Sequence, residues 1–445
     1  MLLTIEKLIY GGDGLARLPA DEKGRGKTVF VPLVLAGEKI EADLLEQKAG
    51  FARARVAQVV EPSPHRIQPG CRYFGACGGC HYQHTSYEQQ LEIKRDILAE
   101  TLRRIAKLDL KEEIEVHPSP PWNYRNRSRF QVQTNPSFAV GYFKLASNEL
   151  LPVEECPISS PLINKGIAAL WRMGTGGKVP VGVSEIEIFA NAEDSALLAT
   201  VFCDVGARRA AVRAFAEELR AALPEIEGVS AFRPAEDAGR NPHREEKFVS
   251  LGGDHLVYKT RHASFRVSTG SFFQTNRFLI DELVQLVTGG QSGSSALDLY
   301  AGVGLFSTAL SDMRHILSVE SSQTSTADLA YNLSSNGEAV QATTEQYLAR
   351  AVNSERVGKG AVLPHLSYQP DLVVVDPPRS GLGERVARML ANLGAPRVNY
   401  VSCDPATLAR DLPLLQDGGY RVQRVQLVDM FPQTFHLESV VHLAR

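Results

Sequence analysis

The sequence predicts a multidomain chain: an N-terminal OB-like β-barrel, a central α+β domain and a C-terminal α/β domain of Rossmann-like type. Three observations carry that prediction. The chain has 445 residues, more than one hydrophobic core organises. Residues 1–60 hold four short strand-like runs punctuated by turn signals. From about residue 270, strand and helix patterns alternate, as in a doubly wound sheet. The expected boundaries are 1–62, 63–265 and 266–445.

The N-terminal runs are LTIEKLIY, TVFVPLV, EKIEADLLEQ and ARARVAQVVE, separated by GGDG, EKGRGK and LAG. So many strands in so few residues suit a small barrel. PSPHRIQPG at 62–70 reads as a linker. Residues 86–108 form a strong helix with Leu91, Ile97, Leu98, Leu102 and Ile105 on one face, available to pack on the C-terminal domain. Residues 113–265 alternate strands and turns, interrupted by one helix, ARRAAVRAFAEELRAAL, and a polar loop at 239–247. The C-terminal strands are ALDLY, HILSVE, DLVVVD and RVNYVSC, then two more across a short link, which predicts an antiparallel hairpin.

Net charge is −3, with 44% apolar and 22% charged residues. A global basic field is excluded, so any nucleic acid must be held by local patches. The N-terminus does not read as a signal peptide, and no apolar run reaches membrane-span length. The expectation is a cytoplasmic monomer with no membrane partner. Six cysteines in such a chain favour metal or catalytic roles over disulfides.

LDLYAGVGLFS is a strand, a Gly-rich turn and a helix start. Gly302 and Gly304 allow a tight turn and close approach of a ligand at the carboxyl end of the strand. Asp298 lies within the strand before the turn, Glu320 closes the next strand, and Ser307 stands where a third glycine would complete a dinucleotide fingerprint. These features favour S-adenosyl-L-methionine over NAD. Asp376, ahead of Pro377-Pro378, ends another buried strand on the same crevice.

RVNYVSCDPATLARD puts Cys403 at a strand end, where Asp404-Pro405 forces a turn. The bland alternative is an inert buried thiol. One chemistry that needs a cysteine beside a base here is methylation of uracil carbon 5. That carbon is too weak a nucleophile until a thiolate adds to carbon 6, and a base must then remove the carbon-5 proton. Glu438 starts the last strand, which should run antiparallel and so begin on the rim that carries Cys403. His436 is the alternative base, and a solvated surface acid is the bland reading of Glu438.

CRYFGACGGC spaces Cys71, Cys77 and Cys80 as C-x5-C-x2-C, and Cys156 follows in EECP. Three clustered cysteines and one distant Cys-Pro favour a 4Fe–4S cluster over zinc, which usually takes two C-x2-C pairs. Cys203 reads as plain core. NYRNRSRF alternates Arg125, Arg127 and Arg129 along an expected strand, either as an RNA contact or as a solvated edge. A base acted on within structured RNA must be flipped out. Phe272 or Phe273 could stack on it, although a core role suits each equally.

GSFFQTN, DLYAGVGLFS, DPPRSG, YVSCDPATLARD and DMFPQTFHLES resemble, in order, the motifs of the RNA (uracil-5-)-methyltransferase family. The resemblance implies that Gln274, Tyr300, Glu320 and Asp376 bind adenosylmethionine, that Cys403 is the nucleophile and Glu438 the base. The cysteine pattern resembles that of cluster-bearing ribosomal RNA members, and the N-terminal barrel resembles a TRAM domain, a small RNA-binding module. Both imply 23S ribosomal RNA rather than transfer RNA as the partner. Two positions depart from the family pattern. Leu305 stands where some members have asparagine, and Thr344, with Glu345 next to it, stands where an adenine-side acid or amide is expected. Two competing readings are an exocyclic-amino methyltransferase, which DPPR partly resembles, and an RNA-binding assembly factor with a vestigial catalytic domain.

Overall fold

A computed structural model describes residues 1–18, 26–110, 112–235, 245–354 and 369–445. The expected polar loop at 239–247 lies largely outside the described residues.

Six strands open the chain: β1 (Leu2–Thr4), β2 (Lys7–Leu8), β3 (Asp13–Arg17), β4 (Thr28–Pro32), β5 (Lys39–Gln47) and β6 (Phe51–Glu61). They form one sheet in the order β1-β5-β6-β4-β3-β2. Inward-facing residues from nearly every strand, among them Leu3, Ala16, Val31, Ile40 and Ala52, share one small core, so the sheet curls around it. The Gly-Gly-Asp-Gly stretch expected to be a turn contributes the first two residues of β3, because the reversal is completed at Gly11 and Gly12, both at positive φ.

Next come α1 (Tyr87–Ile105), capped by the Ser86 side chain, and β7 (Glu115–His117). The middle of the chain builds β8 (Arg127–Gln133), β9 (Ala139–Phe143), β10 (Leu150–Pro152), α2 (Pro161–Thr175), β11 (Val183–Ala190), β12 (Leu197–Cys203), α3 (Arg209–Ala222), β13 (Ile226–Pro234) and β14 (Glu245–Gly252). These seven strands make one sheet, order β10-β9-β8-β11-β12-β13-β14, with α2 and α3 packed on a core of their own. The sequence reading expected one helix here, and α2 is the second. Its glycines dilute the apolar period, but Ser160 caps it and Pro161 opens it, a start signal legible without a structure.

A hairpin, β15 (His255–Lys259) and β16 (Ser264–Ser268), precedes α4 (Ile280–Thr288). The C-terminal elements are β17 (Gly293–Leu299), β18 (Met313–Glu320), α5 (Gln323–Asn332), β19 (Gly337–Gln341), α6 (Thr344–Ser354), β20 (Leu372–Val375), α7 (Gly383–Leu393), β21 (Arg397–Ser402), α8 (Pro405–Asp417), β22 (Arg421–Val428) and β23 (Glu438–Ala444). Their sheet runs β19-β18-β17-β20-β21-β23-β22-β7. Strands β17 to β21 pair in parallel, and β23 is antiparallel to both β21 and β22, as expected of the terminal hairpin.

The eighth strand comes from far upstream: β7 pairs in parallel with β22. Helix α1 packs against α8, and its Ile97, Leu98 and Leu102 join the core under the C-terminal sheet. Ile105, expected on that face, is 49% exposed at the last position of the helix, whereas Gln90 and Lys94 are buried. Polar side chains are tolerated there because both are paired. Among the described residues, no helix is long and apolar enough to cross a membrane.

Candidate active site

The crevice opens at the carboxyl ends of β17, β18 and β20. After β17 the backbone takes positive φ at Tyr300, Gly302 and Gly304. A Cβ on Gly304 would meet the Leu329 side chain at 2.9 Å, whereas Gly302 faces open space. Glu320 holds this turn: its carboxylate accepts from the backbone N–H of Gly302 at 3.0 Å and of Ser322 at 2.6 Å. Tyr300 lies against Thr344, which is buried, while Glu345 turns away to pair with Arg385 at 2.6 Å. Ser307 has a use of its own, since its hydroxyl bonds both the Asp298 carboxylate and the Ser318 hydroxyl across β17 and β18.

Among the described residues, no cation pairs with Asp298 or Asp376. Asp298 is fully buried, with one carboxylate oxygen unpartnered. Burial, and then the nearby Glu320 charge, push it up to about 7 against the pull of Ser307. Asp376 is pushed up to about 7 by burial and by Asp298. The Gln274 amide donates to Asp376 at 3.4 Å from the loop after β16. On that loop Phe273 is 2% exposed, packed among Tyr258, Phe265 and Phe189, but Phe272 is 60% exposed.

Cys403 follows β21, and Glu438 begins β23. Ser402 pairs with Ser439 across these antiparallel strands, so Cys403 and Glu438 are the next positions outward. The Asp404 carboxylate caps α8 through the N–H groups of Ala406 and Thr407. Burial first, then Glu438 and Asp376, raise the Cys403 thiol to about 12, opposed by Arg379. Glu438 is buried with one oxygen unpartnered, and burial together with Asp376 holds its carboxyl well above the usual range. Burial and the Arg379 charge depress His436 to about 3.

The link from β22 to Glu438 is pinned by residues that sequence reasoning missed. Lys94 donates to Asp429 at 2.6 Å and to the Phe431 carbonyl at 2.9 Å, with Lys94 and Asp429 both fully buried. The side chain of Gln90 exchanges hydrogen bonds with the side chain and backbone N–H of Gln433, a residue at positive φ. The backbone N–H groups of His81 and Tyr82 donate to the Gln433 carbonyl at 2.8 and 3.0 Å. Two polar residues one turn apart on the buried face of α1 were the available signal.

Cys71, Cys77, Cys80 and Cys156 line one cavity, and none of them is in a disulfide. Burial raises the first three. Among the described residues, no three histidine, cysteine or acidic side chains converge closely enough to hold a single ion. Arg125 lines the same cavity with its Nε unpartnered. Arg127 sits by Glu187, and only Arg129 faces outward, over the Phe202 ring and beside Glu185. The three arginines therefore do not form the continuous edge that their alternation suggested. They sit in three environments, since Arg125 precedes β8 rather than lying on it.

Comparison with known proteins agrees with this architecture. The tRNA (uracil-5-)-methyltransferase family matches residues 86–445. An uncharacterised RNA methyltransferase of Aquifex aeolicus is 33% identical over 450 residues, spanning 99% of this chain and 97% of that protein. Another from Listeria monocytogenes is 31% identical over 458 residues, spanning 99% and 96%. The Pyrococcus abyssi tRNA (uracil-54, C5)-methyltransferase, solved with S-adenosyl-L-homocysteine, matches the fold with a TM-score of 0.73 at 23% identity, covering 100% of both chains. Motifs, crevice and relatives lead to one conclusion: the chain belongs to the tRNA (uracil-5-)-methyltransferase family and is an S-adenosylmethionine-dependent RNA methyltransferase.

Proposed function

We propose that this enzyme methylates carbon 5 of a uridine in RNA, with Cys403 as nucleophile and Glu438 as base. The observation that carries the reading is the opposition of Cys403 and Glu438 on the rim of the crevice.

Cys403 loses its proton to solvent on the open side of the pocket, where exposed Arg379 opposes the cost of the thiolate. The sulfur bonds to carbon 6, and the ring π electrons move to give an enolate with a nucleophilic carbon 5. When bound, adenosylmethionine would supply the electrophilic methyl group to carbon 5 and depart as S-adenosyl-L-homocysteine. Glu438 then takes the carbon-5 proton, the C5=C6 bond re-forms, and the carbon–sulfur bond to Cys403 breaks. His436 is held too weakly basic for that step, whereas Glu438, once ionised, is the stronger base and returns the proton it takes to solvent after each turnover.

The crevice suits the cofactor. Asp298 and Asp376 have no cationic partner among the described residues, and a ligand carrying a sulfonium and an ammonium supplies two positive charges. Gly302, Gly304 and Glu320 would flank the ribose and amino-acid portions, Tyr300 and Thr344 the adenine, and Gln274 would steady Asp376. Phe272 is the stacking candidate for the flipped base.

The four cysteines support an iron–sulfur cluster. Cys71, Cys77, Cys80 and Cys156 line one shared cavity, and four cysteine thiolates are the donor set that a four-iron cluster takes. Arg125, with its open Nε–H, suits the negative charge of such a cluster. Cys71, Cys77, Cys80 and Cys156 would hold it in a structural role.

The N-terminal sheet is read as a TRAM-like RNA-binding module, and 23S ribosomal RNA as the substrate. Transfer RNA is the second reading, favoured by the Pyrococcus abyssi enzyme, whose match extends over the whole of both chains. Incubation with labelled adenosylmethionine and separate 23S and transfer RNA transcripts, followed by nucleoside mass mapping, tests both. 5-Methyluridine in neither would reject the uridine assignment.

A further inference from the structure

The N-terminal sheet reaches the reacting residue. Its β2–β3 turn, tightened at Gly11 and Gly12, carries Tyr10 to the turn after β21. The Tyr10 hydroxyl donates to the carbonyl of Cys403 at 3.2 Å. It also lies against the Asp404 carboxylate that caps α8. The Tyr10 ring stands edge-on to Phe435, centroids 5.5 Å apart, and Phe435 lies tilted against His436, centroids 4.1 Å apart, two residues before Glu438. The turn is anchored on both flanks. Leu8 is buried in the core beneath the C-terminal sheet, Lys7 pairs with Glu100 of α1, and a Cβ on Gly12 would meet His81 at 3.0 Å.

We propose that Tyr10 is a positioning residue for Cys403, so that the N-terminal sheet completes the catalytic pocket besides any part it takes in binding RNA. The hydroxyl fixes the peptide from which the thiol side chain springs. The ring fixes the loop that delivers Glu438. One side chain thus sets the position of nucleophile relative to base. A thiol attacking a ring carbon is sensitive to displacements of about 1 Å, which can lower a rate by up to about 10²-fold. The consequence for catalysis rests on the proposed roles of Cys403 and Glu438, but the tie between Tyr10 and the Cys403 turn does not.

The test uses the full chain with Tyr10→Phe, which keeps the ring and removes only the hydroxyl, and Tyr10→Ala, which removes both. Two readouts separate the claims. In the first, peptide mass spectrometry follows iodoacetamide labelling of Cys403 across pH, without RNA. Freed from its tether, Cys403 should label severalfold faster in Tyr10→Phe, with a lower apparent pKa. Buried Cys203 should stay unlabelled in every variant, reporting that the chain remains folded. In the second, Tyr10→Phe should lower kcat for RNA methylation about tenfold, and Tyr10→Ala further, with KM for adenosylmethionine unchanged. Unaltered Cys403 labelling and unaltered kcat in Tyr10→Phe would overturn the proposal. A rise in KM for RNA alone would make Tyr10 an RNA contact and overturn it as well. If no variant, nor the parent, methylates uridine while the labelling shift is present, the proposed reaction fails and the Tyr10 tether stands.

Discussion

Cys403 and Glu438 are successive in space although 35 positions separate them in sequence, because the register Ser402 to Ser439 carries one step outward to both. The proposed nucleophile and base, opposed across two strands, can be uncoupled by mutation. Cys403→Ala should abolish both methylation and any covalent RNA adduct. Glu438→Gln should still add and methylate, then fail to eliminate, leaving RNA attached to Cys403. A denaturation-resistant band in Glu438→Gln that vanishes in the Cys403→Ala, Glu438→Gln double variant is the expected gel. General-base assistance is worth about 10²–10⁴-fold, so the trapped species should decay slowly. Normal turnover by Glu438→Gln, with adduct accumulating in a His436 variant, would transfer the base role to His436.

Cofactor affinity should depend on pH in a definite direction. Asp298 and Asp376 are held near 7, so below that value they carry protons that a cationic ligand must displace. Adenosylmethionine should bind more tightly as pH rises from about 6 to about 8, then level off. The same raised values mean that the chain binds more protons folded than unfolded between about pH 4 and 7, so this contribution to stability declines as pH rises through that window. Calorimetry across the range measures the first trend and thermal melts the second. Asp376→Ala and Glu320→Ala should each weaken binding by about 1.5–3 kcal/mol, roughly tenfold or more. A flat affinity profile would mean that these carboxylates do not meet the cofactor's charge.

The two neighbouring phenylalanines should behave oppositely. Phe273→Ala empties a packed aromatic cluster and should destabilise the chain by about 3–5 kcal/mol. Phe272→Ala should leave the melting temperature unchanged and weaken RNA binding by about 1–3 kcal/mol through lost base stacking. RNA titrations and melts of both variants check the pair, and equal effects on stability would remove Phe272 as a stacking platform.

Anaerobically purified protein should be brown and carry about four irons per chain. Substituting Cys77 or Cys156 should abolish the colour. Stoichiometric zinc without iron would replace the cluster with a single-ion site.

Much of this site is written in short stretches of sequence. Strand, glycine turn and helix around Gly302, or strand, Asp-Pro and helix around Cys403, are local patterns whose geometry follows from a dozen residues. The facing of Glu438 was also legible, since a short link forces the last strand to run back. What stayed hidden depends on distant partners. Lys94 reads as a solvated lysine until Asp429 is beside it, and Glu115–His117 reads as a stray strand until β22 provides an edge. Arg125 resembles its neighbours in alternation but lies ahead of the strand, so period-two reasoning assigns it the wrong surroundings. Tyr10 gave no signal at all, because its use arises only where two sheets meet.

The buried Lys94–Asp429 pair has a bearing on how the chain matures on the ribosome. The partners are 335 residues apart, so α1 is made long before the carboxylate that neutralises its lysine exists. At about 5–20 residues per second, the wait is on the order of tens of seconds. During it Lys94 must stay hydrated, since an unpaired buried charge costs several kcal/mol. The helix face that carries Ile97, Leu98 and Leu102 is therefore exposed in the nascent chain, and its burial coincides with arrival of the C-terminal hairpin. Protease protection of α1 in stalled chains of increasing length would reveal that late step.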